Sequence, residues 1–543
     1  MRREIDRLSG ATFDVLVVGG GICGLAIAYD AAQRGASVAL VERGDFGSGA
    51  SFNHLRTIHG GLRYLQSLDL VRARESVRER RTLARIASHT VRPLPFVLPL
   101  RRSIRRGRLA MRAAFALDRL VAHGRNRGVP ATHRLAPGRV FSRAAAVERF
   151  PGLFRSGLTG AAVWEDYVTV EADRLTFSVA LAASREGAVL ANHVEALGLL
   201  RDGPRVAGAE VVDRVTRSTF PVTARLTIVA AGAAIAPLVS PLGISANMPL
   251  VRAMNLVTSR DAGEEAIGGS GPDGRNFFLV PWKGRAVFGT WESGSPVEPQ
   301  STAVEPAEVA AFISALNGAF PGLDLRMRDV TLVHRGVVPA VDAGGGRVTL
   351  RAREAVVDHA AQGAEGLFTV AATKFTTFRA VAERVVGLVF DRLGCTAVCR
   401  TADTLLPGGG VPDVGLAVAQ LRRDWDADVP GDTIPHLVAA YGTDAAQVLA
   451  LAREAPAWRA RVAEHSPVIG AELVRAVRQE MAVTLADAVI RRTPLGALGD
   501  PGDQALDVAA AIVGRELGWT PQRRQEEIDA VQAVYGSVNA LKT

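Results

Sequence analysis

A chain of 543 residues with 48% hydrophobic and 22% charged residues has the make-up of a folded, soluble, multi-domain protein rather than a disordered one. Three cysteines, Cys23, Cys395 and Cys399, exclude a disulfide framework and fit a reducing compartment. The net charge of +9 points to an acidic partner, which is nucleic acid, anionic lipid or an anionic substrate.

The first organised stretch runs from Phe13 to Arg43. Val15 to Val18 suit a strand buried on both faces of a parallel sheet. Gly19, Gly21 and Gly24 then form a G-x-G-x-x-G pattern, which allows a tight turn, close backbone approach to a pyrophosphate and close helix-to-strand packing. The next segment carries Ala26, Ala28, Ala31 and Ala32, stops at Gly35, and aims its N-terminus at an anion. A second strand, Ser37 to Val41, ends in Glu42, where a carboxylate accepts hydrogen bonds from an unphosphorylated ribose. Strand, helix and acid agree, so a bound dinucleotide is expected, with Cys23 a small filler beside it. This strand consumes the apolar run after Phe13, so no N-terminal signal is read there. No uninterrupted apolar stretch is long enough to span a bilayer.

Small residues from Gly47 to Ser51 suit a loop lying against phosphates or a ring system. Ile58-His59-Gly60-Gly61-Leu62-Arg63 then sets a histidine and an arginine on either side of a glycine pair. Here the sequence resembles the FAD-dependent glycerol-3-phosphate dehydrogenase family, whose members carry a near-identical IHGGLRYL after the same glycine pattern. The resemblance continues through Ala87 to Leu100, Pro281-Trp282, Gly289-Thr290, Gly336 with Pro339, Lys374 to Arg379 and the Leu406-Pro407-Gly408-Gly409 boundary. It covers most of the chain.

From Arg101 to Gly128, arginines interleave with Ile104, Leu109, Met111, Phe115, Leu117, Leu120 and Val121. Such a basic amphipathic helix lies in a membrane interface or packs on its own domain. The resemblance, to a family with peripheral membrane members that reduce quinone, favours an anionic membrane surface. Gly157 to Gly232 reads as a return to the cofactor domain, with strands at Val189 to Val194 and Leu226 to Ala231. Runs at Phe277 to Val280, Ala286 to Gly289 and Val330 to Val333 imply an antiparallel cap, and Leu367 to Ala371 leads back to Lys374. Leu473, Val477, Met481, Leu485 and Val489 recur at four-residue spacing between Ser466-Pro467 and Thr493-Pro494 and imply one helix; Thr520-Pro521 opens another.

The expected architecture is an α/β FAD-binding (Rossmann-like) domain with an antiparallel β-sheet substrate cap and a C-terminal helical domain. The cofactor domain is assigned to 1–100, 157–240 and 340–400. The cap, with the basic segment, takes 101–156 and 241–339, and the helical domain 401–543.

Oxidising a secondary alcohol with a flavin requires a base for the hydroxyl proton while a hydride moves to the flavin. A group titrating near neutrality suits this, and His59, followed by glycines that admit a flat ring, is the expected base. The resemblance gives Arg63 and Lys374 the substrate anion and the reduced flavin's charge. Lysine is rare in this chain, found only at Lys283, Lys374 and Lys542, which adds weight to Lys374. Residues expected to line the cofactor are Gly19, Gly21, Gly24, Glu42, Arg43, Ser48, Ser51, Gly60, Val194, Gly232 and Thr376, with Thr377 beside them. The chain also departs from the family. Where relatives have Ser-Gly-Val-Arg-Pro it reads Arg335-Gly336-Val337-Val338-Pro339, so a substrate-binding arginine is Val338, and the odd offset turns Arg335 to the other face. Ala372-Thr373 replaces Gly-Gly. Arg252-Ala253-Met254-Asn255 replaces Lys-Gly-Ser-His, leaving Arg252 as a further expected substrate ligand.

The resemblance implies an FAD enzyme that oxidises sn-glycerol 3-phosphate to dihydroxyacetone phosphate and passes electrons to a quinone or other acceptor. It would be cytoplasmic or peripheral on the inner face of the cell membrane. No metal and no nucleic acid are expected. The alternatives are a diverged relative acting on another hydroxy or amino compound, and a flavoprotein whose basic surface binds nucleic acid.

Overall fold

The computed structural model describes residues 1–543 except 104–106, 154–155, 247, 272–273, 304, 426–428 and 541–543, so Ile104, Arg105 and Arg106 of the basic segment lie outside the described residues. In the first of two sheets, strands Leu367–Ala371, Thr219–Val229, Thr12–Val18, Val38–Val41 and Val189–Ala191 run parallel in that spatial order. Ala355–Asp358 adds an antiparallel edge. The first strand is buried on both faces, as its unbroken apolar run requires. Val15 and Val17 pack with Leu25 of helix Ile22–Gln33, Leu175 of Ala172–Arg185 and Val385 of Phe378–Leu393; Leu16 and Val18 face Val206, Val211 and Ile235.

The run from Val189 to Val194 is not one strand. Extended structure stops at Ala191, His193 takes a left-handed conformation at φ 54°, and Val194–Asp202 begins a hairpin with Arg205–Asp213.

The second sheet is the cap. Its order is Arg347–Leu350, Val330–Gly344, Leu250–Asp261, Arg285–Glu292, Asn276–Trp282, Ala266–Ser270, Val91–Leu100, Gly160–Thr169 and Thr57–Ile58. Its pairs are antiparallel apart from Ala266–Ser270 with Val91–Leu100. The expected boundaries at 100 and 157 are therefore corrected. Val91–Leu100 pairs along its whole length with Gly160–Thr169, and both belong to the cap sheet. Met254, Leu256 and Phe288 on one face pack on helix Pro306–Ala319 through Phe312 and Leu316. Phe96, Val257 and Trp282 face the C-terminal helices and meet Leu485 and Val489.

The single helix expected between Pro467 and Thr493 is two pieces. Helix Gly470–Glu480 ends because Met481 turns left-handed at φ 59°, and a π-helical turn, Asp487–Arg492, follows. Arg174 secures the break through two bonds to the Glu480 carboxylate, at 2.5 and 3.0 Å. Helices Asp503–Leu517 and Pro521–Ala540 complete the domain. The basic segment does form a helix, Arg108–Val121, which buries Met111 and Phe115.

Candidate active site

Gly19, Gly21 and Gly24 form a backbone cradle at the end of the first strand. A Cβ on Gly19, whose φ is 112°, would lie 2.7 Å from Ala230 O, and one on Gly24 only 1.9 Å from Gly19 O. Ser51 Oγ accepts the Ile22 N–H at 2.9 Å, placing the Gly47–Ser51 loop at the helix N-terminus. Glu42 accepts from Gly20 N at 2.6 Å and Gly44 N at 2.8 Å, one to each carboxylate oxygen. Each oxygen keeps a further lone pair for a ribose hydroxyl. Burial pushes the Glu42 carboxyl above its ordinary value, against the pull of those two N–H groups. Val194 N donates to Glu42 O at 2.8 Å, and Ser48 N to Asp45 O at 3.0 Å. Arg43 is exposed beside them, and Gly232, at φ 58°, follows the neighbouring parallel strand. This donor set, with its glycine cradle, fits a dinucleotide cofactor.

From Ser51 the chain crosses to the cap, where Thr57 and Ile58 pair with Val168 and Tyr167. The same register sets His59 opposite Asp166. His59 Nδ1 lies 3.2 Å from one Asp166 oxygen, and the other oxygen accepts the Gly60 N–H at 2.8 Å. Arg80 also pairs with Asp166, and Trp164 Nε1 donates to it at 3.2 Å. Burial raises the Asp166 carboxyl, but Arg80, His59 and Gly60 together hold it below its usual value. The carboxylate therefore stays ionised and accepts from Nδ1–H. That leaves the Nε2 lone pair, 2.8 Å from Thr57 Oγ1, as the basic site. The ring is 41% exposed, so it can meet a small molecule.

The glycines after His59 admit helix Leu70–Ile86, since a Cβ on Gly60 would meet Arg80 and one on Gly61 would meet Ser76. Ser76 Oγ in turn accepts from Lys374 Nζ at 3.0 Å. The Lys374 loop also reaches His59 directly, because Thr376 Oγ1 accepts the His59 backbone N–H at 3.2 Å. Lys374 Nζ stands 4.4 Å from the centre of the Tyr64 ring, with the Arg72 guanidinium at 4.2 Å and Arg63 at 5.1 Å. Burial lowers the Lys374 ammonium below its ordinary value. Burial raises the Tyr64 hydroxyl, but Lys374 and Arg63 outweigh it and bring it below its own. His59, Arg63, Lys374, Gly60 and Thr376 are thus gathered in one region.

Arg252 is not gathered there. It alternates with Met254 onto the face covered by helix Pro306–Ala319, where it pairs with Glu308 and donates to Ser301 O at 3.0 Å. Arg335 is opposite Met254 and shares that face, donating to Thr302 O at 2.7 Å. Val338 points the other way and packs with Val251, Ala340 and Val348, two residues along from Gly336, whose added Cβ would touch Ala50.

Sequence reading missed Asp166, Tyr64 and Arg351. Asp166 left one signal, the second of two adjacent acids, Glu165 and Asp166, in a strand that is otherwise largely apolar. Arg351 lies with its backbone against Pro339, the residue after Val338. Its N–H donates to Pro339 O at 3.1 Å, its carbonyl accepts from Thr373 Oγ1 at 2.6 Å, and its Nε is buried without a hydrogen-bond partner among the described residues. No glycine or motif spacing marks it.

A family model described as FAD dependent oxidoreductase matches residues 14–387, and one for the C-terminal domain of alpha-glycerophosphate oxidase matches 399–524. Glycerol-3-phosphate dehydrogenase of Synechocystis sp. is 28% identical over 97% of this chain and 97% of its own length. The mitochondrial glycerol-3-phosphate dehydrogenase of Mus musculus is 32% identical over 95% of this chain and 72% of its own. Among solved structures, that of the glycerol-3-phosphate dehydrogenase from Bacillus halodurans complexed with FAD superposes with a TM-score of 0.77 at 23% identity, covering 98% of this chain and 97% of the other.

Proposed function

Because the chain belongs to the FAD-dependent glycerol-3-phosphate dehydrogenase family, and so is an FAD-dependent oxidoreductase, we propose that it oxidises sn-glycerol 3-phosphate to dihydroxyacetone phosphate and passes the electrons to a quinone. The observation that carries this reading is the His59–Asp166 pair, held against the Lys374 loop by the bond to Thr376. His59 Nε2 takes the C2 hydroxyl proton of the substrate, with Thr57 Oγ1 giving up its place. Asp166 fixes the ring through Nδ1–H and stabilises the imidazolium that results. Bound FAD supplies the acceptor for the hydride that leaves C2. Lys374 and Arg63 attract the phosphate.

Exposed apolar residues support peripheral attachment to an anionic membrane surface. Leu109 and Leu120 of the basic helix are 78% and 75% exposed, and Leu68 and Val71, at the turn this helix packs on, are 71% and 81% exposed. No helix among the described residues is long and apolar enough to cross a membrane.

One observation favours a second reading, in which the substrate is a different hydroxy or amino compound. Val338 packs among Val251, Ala340 and Val348, at the position where the family resemblance implies an arginine. Anaerobic mixing of the flavoprotein with candidate substrates separates the two. Bleaching by glycerol 3-phosphate supports the first, and bleaching only by an unphosphorylated compound supports the second.

A further inference from the structure

Asp45, His193 and Asp487 bring three potential metal ligands within 4.8 Å of one another. The cluster is an ion-pair network instead. Arg492 grips both oxygens of Asp45, at 2.5 and 2.8 Å, with both side chains fully buried, and a buried guanidinium repels a metal cation. Asp487 takes His193 Nε2 at 3.0 Å and the Val483 and Thr484 N–H groups at 3.0 Å. Asn192 joins in, donating to Asp45 at 2.9 Å and to Met481 O at 3.0 Å. Two residues of the C-terminal domain thus hold two segments of the cofactor domain.

What they hold is the Glu42 loop. His193 N donates to Gly44 O at 2.7 Å, Val194 N to Glu42 O at 2.8 Å, and Glu42 N to Ala191 O at 3.0 Å. Asp45 lies three residues past Glu42, and Gly47 N closes the loop onto Gly20 O at 2.9 Å. Of the two N–H groups that hold the Glu42 carboxylate, that of Gly44 directly precedes Asp45, and that of Gly20 belongs to the turn tied to the same loop by Gly47. The π-helical turn is what makes a double grip possible. In an α-helix, residues five apart, such as 487 and 492, diverge by roughly 140°, and the wider turn brings them towards one side.

We propose that Asp487 and Arg492 are positioning residues for the cofactor: the C-terminal domain clamps the Glu42–Ser48 loop, and FAD retention depends on that clamp. The inference rests on Glu42 as the ribose acceptor. It gives the helical domain a role in cofactor binding beyond packing.

The test compares full-length flavoproteins by their FAD dissociation constant, read from flavin fluorescence on reconstitution of the apoprotein, alongside their Tm. Asp487→Asn keeps the side-chain volume and removes the charge, and it should weaken FAD binding about tenfold. Tyr535→Phe, which loses a buried bond to Gly496 O within the same domain but touches no part of the loop, should lower Tm and leave FAD affinity unchanged. Glu42→Gln should weaken FAD on its own. Combined with Asp487→Asn it should cost less than the product of the two single effects, since one acts through the other. Unchanged affinity in Asp487→Asn, a purely multiplicative double variant, or an equal loss in Tyr535→Phe would overturn the clamp. A normal FAD affinity in Glu42→Gln alone would overturn the ribose reading on which it rests.

Discussion

Asp166 holds His59 by two routes at once, through the ring Nδ1 at 3.2 Å and, with its other oxygen, through the N–H of Gly60 at 2.8 Å. The contact therefore fixes the ring, its tautomer and the backbone bend that follows it. Asp166→Asn should keep the shape of the site but remove the charge that stabilises protonated His59. We expect flavin reduction to slow at least about tenfold at saturating substrate, with KM little changed and the acidic limb of the pH profile displaced. A normal rate and pH profile would show that Asp166 only packs the cap.

The His193–Asp487 pair predicts a pH-dependent stability. Burial lowers the His193 imidazole, but its bond to Asp487 and the charges of Asp487 and Asp45 outweigh that and raise it above its ordinary value, while Arg3 opposes them. Arg491 and Arg492 also face Asp487. A raised histidine contributes stability that is complete below its unfolded value of about 6.5 and is lost as pH rises through the higher folded value. The Tm difference between the unmodified protein and Asp487→Asn should accordingly be larger near pH 6 than at pH 9. A difference that does not vary with pH would contradict the pairing.

Much of the cofactor site was legible in the sequence because each of its parts is local. Gly19, Gly21, Gly24 and Glu42 lie on one strand, turn, helix and strand, and IHGG is a contiguous word. What stayed hidden depends on pairing between distant segments. Asp166 meets His59 only because Thr57–Ile58 joins Gly160–Thr169 in one particular register. Arg252 looked like a substrate ligand because its charge matched the family position, but strand alternation turns it towards helix Pro306–Ala319. The same alternation, applied to Arg335, gave the right face. The apolar period from Leu473 to Val489 continued through Met481 without a break, since a left-handed residue leaves no mark on hydrophobic spacing.

Val338 sets the third expectation. Truncating one side of a hydrogen-bonded ion pair typically costs about 2–5 kcal/mol, so Val338→Arg should lower KM for glycerol 3-phosphate by at least about tenfold. Arg351→Ala should raise it if that arginine reaches the phosphate from its backbone position against Pro339, next to the altered residue. If neither change moves KM, the phosphate is held by Lys374 and Arg63 at the Tyr64 cluster alone.

Membrane attachment through helix Arg108–Val121 should depend on both charge and apolar contact. Binding to vesicles containing anionic lipid should fall as salt rises, and should fall further when Leu109 and Leu120 are replaced by Ser. Salt-insensitive binding, or none at low salt, would remove this surface from the account.

The most direct measurement is anaerobic stopped-flow reduction of the flavin by glycerol 3-phosphate in the unmodified protein and in His59→Ala. The account predicts that the flavin band bleaches in the unmodified protein, and that the variant keeps its FAD but reduces it about a hundredfold or more slowly. Equal rates in the two proteins, or no bleaching of the unmodified flavoprotein at any concentration of glycerol 3-phosphate, would contradict it.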